Sequence, residues 1–413
     1  MSRAILIEGA CNIQLLGTYL TRYWNRRVTV TSATVERACA KGSNFASDPW
    51  RVAFQYKEEN KDELHNSSVI VKTRLTDVQS DAAVHGETAF KNEIYSYEKI
   101  IPVLNEFLES LLRVPGYVHG DLNAIVLEDM CARSFYHITK KIATNWNQIW
   151  SPIQEMAKLH AASIVMETDD KPRFQRLVKG ITKVPYEDTV ELGKKQVKSL
   201  ELIVEILGET KIADGTRHKK IIEMMMRDDL WKRQRDLLDE QVEFRVINHG
   251  AIWINNYMYR NEMITLLDWQ DIKYTSPAID VGYFLLSNLD IDFLFKNKKD
   301  LLQFYLMHLH QYIYNARADK WTVEKLESML DKLSYKWIEN ELKRCLLHSY
   351  MMALWITPVY SWSEAAYAKM EEVGGIETME VAERMKHMTP HQKDRMIKLT
   401  QFFMEERNVE GDE

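Results

Sequence analysis

The stretch His249-Gly250-Ala251-Ile252-Trp253-Ile254-Asn255-Asn256, followed by Leu266-Leu267-Asp268-Trp269-Gln270, decides how this chain is read. Between the two segments lie Tyr257 to Arg260 and Met263 to Leu267, short runs of β-forming residues separated by a turn. Such a pair reads as a hairpin, with Asn256 at its entry and Asp268 at the end of its second strand. Amide and carboxylate oxygens at those two places suit Mg²⁺, which takes oxygen ligands in octahedral geometry. Apolar or neutral residues precede Asp268, and a carboxylate that ends such a run needs a partner. Taken alone, the same pattern also describes a plain β-hairpin with polar turn residues.

Working outward, the first 130 residues mix strands and helices, and the remainder reads as nearly all helical. Asn12 to Tyr23 carries apolar residues at helical spacing, whereas Val28 to Val35 alternates and is rich in Val and Thr. Trp50 to Tyr56 and Ser67 to Leu75 read as further strands, and Asp81 to Leu112 as one or two helices broken near Pro102. Two apolar runs, Arg113 to Val118 and Ala124 to Met130, flank a Gly-Asp turn. Trp150 to Met166 is helical, Arg245 to Asn248 is a short β-type run, and everything after Pro277 is helical to about Met404. The spacing therefore predicts an N-terminal helix over 1–27, a β-rich lobe over 28–123 and a hinge over 124–130. A helical lobe over 131–404 follows, with the hairpin region 245–270 inset, and a frayed tail over 405–413.

Composition bounds the possibilities. The chain has 413 residues, a net charge of −6, 46% apolar and 28% charged residues, which is a folded globular composition. A mildly acidic, evenly mixed chain has no electrostatic footprint for nucleic acid. Cys11, Cys39, Cys131 and Cys345 form no C-x-x-C pair and no zinc spacing, so a reducing compartment is expected. Glu8 and Asn12 interrupt the apolar run from Ala4 to Ile7 before a signal-peptide core can form. The charge-free stretch Cys345 to Ser363 has the length of a membrane span but contains His348 and Pro358, and it reads as a buried helix. A monomeric, cytoplasmic chain without membrane contact is the expectation.

A β-rich lobe, then a helical lobe with an inset hairpin, is the order of a kinase. Phosphoryl transfer needs a lysine for the phosphates, oxygen ligands for Mg²⁺ and an aspartate near the attacking hydroxyl. Several segments resemble, in order, the ecdysteroid kinase-like family of arthropods, related to choline and aminoglycoside kinases. Lys41-Gly42-Ser43-Asn44-Phe45-Ala46-Ser47 resembles its nucleotide loop, and Val69-Ile70-Val71-Lys72-Thr73 the strand with the phosphate lysine. Phe90-Lys91-Asn92-Glu93 resembles the helix whose glutamate pairs with that lysine, although Glu87 and Glu98 are nearby rivals. Ile125-Val126-Leu127-Glu128-Asp129-Met130 resembles the hinge, and Ala157-Lys158-Leu159-His160-Ala161-Ala162-Ser163 the helix before a substrate insert. Pro277-Ala278-Ile279-Asp280 resembles the segment whose aspartate supports the catalytic loop through backbone or His249 hydrogen bonds.

The resemblance covers roughly residues 28–350 and implies a bilobal, protein-kinase-like α+β fold. It implies ATP and Mg²⁺ as cofactors and a steroid or similar lipophilic alcohol, such as an ecdysteroid, as acceptor. Gly42, Ser43, Asn44, Lys72, Glu93, Glu128 and Met130 would bind nucleotide, and Asn256 and Asp268 the metal. The helices over 170–243 would line the acceptor pocket, their Leu, Ile, Met and Val suiting an apolar ligand. One departure stands out: the family's catalytic loop reads His-Gly-Asp, and here His249 and Gly250 are followed by Ala251. A methyl group cannot accept a proton, and losing a general base costs about 10²- to 10⁴-fold in rate. The nearest spare carboxylate in sequence is Asp271. Two readings stay open, a weakened small-molecule kinase and a non-catalytic pseudokinase that binds a nucleotide or a lipophilic ligand. His119-Gly120-Asp121 also spells the triplet, but Val126 stands where the asparagine should be, so it reads as a turn. His308 and His310, two apart on a helix, point to different faces and make no metal site.

Overall fold

The computed structural model describes residues 5–7, 10–39, 47–74, 81–138, 142–183, 201–209, 223, 229–358, 364–373 and 379–407. Alternating side chains build the first lobe. A small hairpin, β1 (Leu6–Ile7) and β2 (Ala10–Cys11), precedes α1 (Ile13–Tyr23), whose first turn is capped by Asn12 accepting from the Leu15 N–H at 3.1 Å. Then come β3 (Val28–Arg37), β4 (Ser47–Glu58), β5 (His65–Arg74), β6 (Tyr117–Gly120) and β7 (Ala124–Glu128). They form one antiparallel sheet in the order β3-β4-β5-β7-β6.

Each face of the sheet has its own cover. Val28, Val30, Val52, Phe54, Val69, Val71, Ala124 and Val126 pack on Leu16, Tyr19 and Leu20 of α1. Because strand side chains alternate, Ile125 and Leu127 face the other way, into the main core with Phe90, Tyr97 and Ile100. The same alternation puts Lys72 on that second face, opposite to Val71. The hinge expected over 124–130 divides here. Ala124–Glu128 is an inner strand, since it pairs with β5 on one edge and β6 on the other, and only Asp129 and the 3₁₀ turn Met130–Arg133 lead out of the sheet.

The helix after β5 also differs from expectation. Here α2 (Asp81–Tyr95) runs into a π-helical turn, Ser96–Ile100, and then α3 (Ile101–Asn105). The regular α-helix gives way to the π turn just before Pro102, near the expected break, but the chain stays helical through Pro102 to Asn105. The helix ends at Asn105, short of Leu112, and Asn105 Oδ1 instead accepts the Leu112 N–H at 2.8 Å.

In the second lobe α4 (Trp150–Asp169) is buried on nearly every side from Ser151 to Met166. Glu155 and Lys158 on this helix hold the lobes together: Glu155 accepts the Arg113 N–H at 2.7 Å, and Lys158 donates to the Leu111 carbonyl at 3.2 Å. After α5 (Lys171–Val178), α6 (Glu201–Glu209) and α7 (Leu230–Asp239) come β8 (Val246–Asn248), β9 (Tyr257–Arg260), β10 (Met263–Leu266) and β11 (Lys273–Thr275). The hairpin β9–β10 forms as expected except that its second strand ends at Leu266, one residue early, while β11, pairing with β8, is too short to register as a periodic signal. In α6, Leu202, Ile203, Ile206 and Leu207 are buried in the core, so packing accounts for their apolar character.

The last helices include α8 (Ala278–Asn288), α9 (Ile291–Arg317), α10 (Val323–Lys332), α11 (Tyr335–Ile356), α12 (Glu364–Glu372), α13 (Val381–Lys386) and α14 (Pro390–Glu406). A Cβ on Gly282 would lie 2.1 Å from Ser349 Oγ, so α8 and α11 cross too closely for any larger residue. Residues 405 and 406, expected to fray, are helical instead, and Lys298 binds Glu406 at 2.5 Å. Among the described residues no helix is long and apolar enough to cross a membrane, and no group of three His, Cys, Asp or Glu side chains could hold a metal.

His348, buried in α11, accepts from Gln234 Nε2 at Nδ1 (3.1 Å), and its Nε2 has no partner among the described residues. Burial, reinforced by the charge of Lys273, pushes its pKa down to about 3. Its folded pKa lies below its unfolded value, so the stability it supports is full above pH 6.5 and is lost as pH falls toward 3. Each unit of difference corresponds to about 1.4 kcal/mol. Urea midpoints measured from pH 7 down to about 4 should fall less steeply for His348→Gln than for the parent chain; equal slopes would remove His348 from the acid limb.

Candidate active site

The short strands β8 and β11 hold a loop between them. Asn248 donates from Nδ2 to the carbonyls of Val246 (3.1 Å) and Thr275 (3.2 Å), closing the strand ends. The chain then turns through Gly250 at φ +84°, and a Cβ there would lie 1.9 Å from the Asp271 carbonyl oxygen. Glycine is required on both counts. Asp280, in the first turn of α8 and fully buried, accepts the His249 N–H at 2.7 Å and the Gly250 N–H at 2.8 Å on separate oxygens. His160 Nε2 approaches Asp280 at 3.3 Å, and His160 Nδ1 lies 2.8 Å from the Tyr305 hydroxyl.

His249 points inward. Its Nε2–H donates to the Leu267 carbonyl at 2.8 Å, and its Nδ1 accepts the Ala251 N–H at 3.4 Å. Burial holds this imidazole below its ordinary pKa against the upward pull of Asp280. Asn256 ties the loop to the hairpin: its Nδ2 donates to the Ala251 carbonyl at 3.0 Å, and its own carbonyl accepts the Leu267 N–H at 2.8 Å. Asp268 follows in the left-handed region at φ 62°, starting the 3₁₀ turn Trp269–Asp271. A non-glycine residue held there stores of order 1 kcal/mol of strain, a feature that clusters at functional sites.

Three segments far apart in sequence converge on Lys72. Its Nζ lies 2.6 Å from Glu93 Oε2 and 2.6 Å from Asp268 Oδ1. Burial works against the ammonium, but the fields of Asp268 and Glu93 outweigh it and raise its pKa. Burial raises the Glu93 carboxyl, to about 7, against the pull of Lys72 and with help from nearby Asp268. One ammonium thus serves two carboxylates, and the more buried one bears the cost. Glu87 pairs instead with Lys91 at 2.7 Å, and Glu98 accepts from the Tyr117 hydroxyl at 2.9 Å.

The structure does not bring every singled-out residue to this point. Gly42, Ser43 and Asn44 lie outside the described residues, as does most of the insert after Lys183. Met130 packs with Phe135 and Met258, beside Leu267. Glu128 stands apart, its carboxylate taking Arg133 at 3.2 Å and its N–H donating to Gly116 at 2.8 Å. In the His119-Gly120-Asp121 triplet Asp121 Oδ1 accepts the N–H groups of Asn123 and Ala124, as a turn residue does. His310 donates from Nε2 to the Leu333 carbonyl, while His308 lies against Gln154 and Gln311.

Sequence reasoning missed Asn92, which is fully buried and exchanges two hydrogen bonds with the Thr182 backbone at 2.8 and 2.9 Å. It also reaches the Gln270 carbonyl at 3.2 Å, so the helix bearing Glu93 clamps both the hairpin exit and the start of the insert. A polar residue inside an apolar helical face was the available signal.

Comparison with known proteins adds a family. The model of the ecdysteroid kinase-like family matches residues 41–317. No curated protein matches the chain. Solved structures similar to it include Plasmodium vivax ethanolamine kinase, at 11% identity and TM-score 0.41, covering 90% of this chain and 83% of that one. Choline kinase from Cryptosporidium parvum Iowa II, at 12% identity and TM-score 0.40, covers 91% and 92%. A type I macrolide 2′-phosphotransferase, at 12% identity and TM-score 0.39, covers 94% and 99%.

Replacing Asp280 with alanine strands the buried N–H groups of His249 and Gly250. The expected loss is about 3 kcal/mol or more of unfolding free energy by urea titration, with Asp280→Asn, which keeps one acceptor, costing less. Equal stability of Asp280→Ala and the parent would show that the loop does not hang on this carboxylate.

Proposed function

The chain belongs to the ecdysteroid kinase-like family, and on that premise we propose that it transfers the γ-phosphoryl group of ATP to a hydroxyl of a small lipophilic alcohol. The observation that carries this reading is Lys72, held at 2.6 Å by both Glu93 and Asp268 where sheet, helix and hairpin meet. Lysine, glutamate and aspartate in that triangle are the parts a phosphate-handling cleft needs. The donor set fits Mg²⁺: Asp268 is a carboxylate at the cleft with one oxygen on Lys72, and Asn256 commits its Nδ2, leaving an amide oxygen. Bound there by Asp268 and Asn256, the ion would neutralise phosphate charge.

The chain's own residues supply the rest. Lys72 binds a phosphate oxygen and Glu93 keeps the ammonium aimed. By the resemblance to the family's nucleotide loop, Gly42, Ser43 and Asn44 would belong to the nucleotide site. Met130, beside Leu267, is better placed than Glu128 to form a wall of the nucleotide cleft. The acceptor class, a steroid or similar alcohol, rests on the family alone, because the described part of the insert uses its apolar residues in packing. A reducing cytoplasm suits four cysteines of which none is in a disulfide. One observation favours a second reading, a pseudokinase that binds nucleotide without turnover: Ala251 is buried, and by the resemblance it stands where the family's loop reads Asp.

A thermal melt tests the nucleotide site. A ligand at about 100 times its Kd adds roughly 2.7 kcal/mol, enough to move the midpoint by a few degrees. Mg²⁺·ATP should raise the melting temperature of the parent chain, and Asp268→Ala should abolish the Mg²⁺-dependent part of that shift. No shift at saturating nucleotide would overturn this reading.

A further inference from the structure

The loop that lacks a carboxylate at Ala251 has another one beside it. The 3₁₀ turn started by Asp268 folds the chain back so that Asp271 packs on Gly250. Its carbonyl fills the place a Gly250 side chain would take, and its Cβ lies 3.3 Å from that point, one residue from Ala251. Asp271 is half-buried, and its carboxylate has no hydrogen bond or ion pair among the described residues.

The other proton-accepting groups at the loop are committed. His249 uses one ring nitrogen on the Leu267 carbonyl and the other on the Ala251 N–H. Asp280 spends one oxygen on each of two backbone N–H groups, and Asp268 holds Lys72. We propose that Asp271 is the proton acceptor of this site, replacing from the hairpin side the carboxylate that Ala251 lacks. The inference rests on the phosphoryl-transfer reading above. In the step, the hydroxyl oxygen of the acceptor bonds to the γ-phosphorus as the bond from that phosphorus to the β,γ-bridging oxygen breaks. The electron pair of the broken bond leaves with the nucleoside diphosphate, and the hydroxyl proton passes to a carboxylate oxygen of Asp271.

The test compares the parent chain, D271N, A251D and the A251D/D271N double variant. Each is given Mg²⁺·ATP with water as the acceptor, and phosphate release and the nucleotide-induced thermal shift are both read. The parent should hydrolyse ATP, and D271N should lose about 10²-fold or more while keeping the thermal shift. With Asp at 251, the same Asp271→Asn change should cost less than about threefold, because the base has been restored elsewhere. Hydrolysis by D271N at the parent rate overturns the assignment, as does a parent chain that shifts with nucleotide yet releases no phosphate. If none of the four chains shifts, the nucleotide reading itself fails, and the assignment with it. A readout independent of turnover is carbodiimide coupling of an amine to Asp271, followed by peptide mass spectrometry. Mg²⁺·ATP should shield this carboxylate several-fold, and labelling unchanged by nucleotide would place it outside the cleft and overturn the proposal.

Discussion

A buried ammonium cannot stand alone, and Lys72 makes that rule architectural. Taking the charge out of water costs several kcal/mol unless partners replace the lost hydration. Here the partners come from α2 and from the turn after β10, so the sheet, its covering helix and the hairpin of the second lobe must meet at one point. The alternation of β5 decides which residue faces that point: Val69 and Val71 go to the α1 side, and Lys72 goes to the other. A one-residue slip of this strand would send the lysine to the apolar face and a valine to the cleft.

A second buried charge performs the same service inside the lobe. Asp280 is held in the first turn of α8, and its two oxygens fix the backbone at His249 and Gly250. His249 and Asn256 then hand that order on to Leu267, next to Asp268. The metal-ligand candidates are therefore positioned by backbone hydrogen bonds that reach from one to the other. The lobes are joined at the same height, since the Arg113 carbonyl accepts the Leu266 N–H at 2.9 Å while Glu155 holds the Arg113 N–H.

What could be read in the sequence was whatever carries its own local period or punctuation. The strands around Val30, Phe54 and Val71, the hairpin β9–β10, and Asn256 and Asp268 at its ends stood out because alternation and turn residues mark them. Ala124–Glu128 did not read as an inner strand, since an apolar run looks the same whether it links lobes or fills a sheet. The identity of its neighbours β5 and β6 is tertiary information. β11 has three residues, too few for a period, and exists because β8 lies opposite. The π turn at Ser96–Ile100 and the clamp by Asn92 depend on what packs against α2. Nor does sequence spacing show that Asp271, twenty-one residues after Gly250, returns to touch it; the hairpin and the left-handed Asp268 together close that distance.

The charge balance gives the substitution at 251 a physical sense of its own. Without ligand, Lys72 faces two carboxylates, and the charge of Asp268 adds to the burial that raises the Glu93 carboxyl. A third carboxylate at 251, on a buried position tied to Asn256, would add like-charge repulsion that only a bound cation could relieve. With alanine there, the loop holds its hydrogen bonds to Asp280 and Leu267 with no third carboxylate beside them. A carboxylate at Asp271 is only partly buried, so the site loses repulsion without losing every proton acceptor at the loop. The trade is between pre-organisation and reach: the loop is held more cheaply in the ligand-free state, and the group left to take a proton approaches from the hairpin instead of from the loop itself.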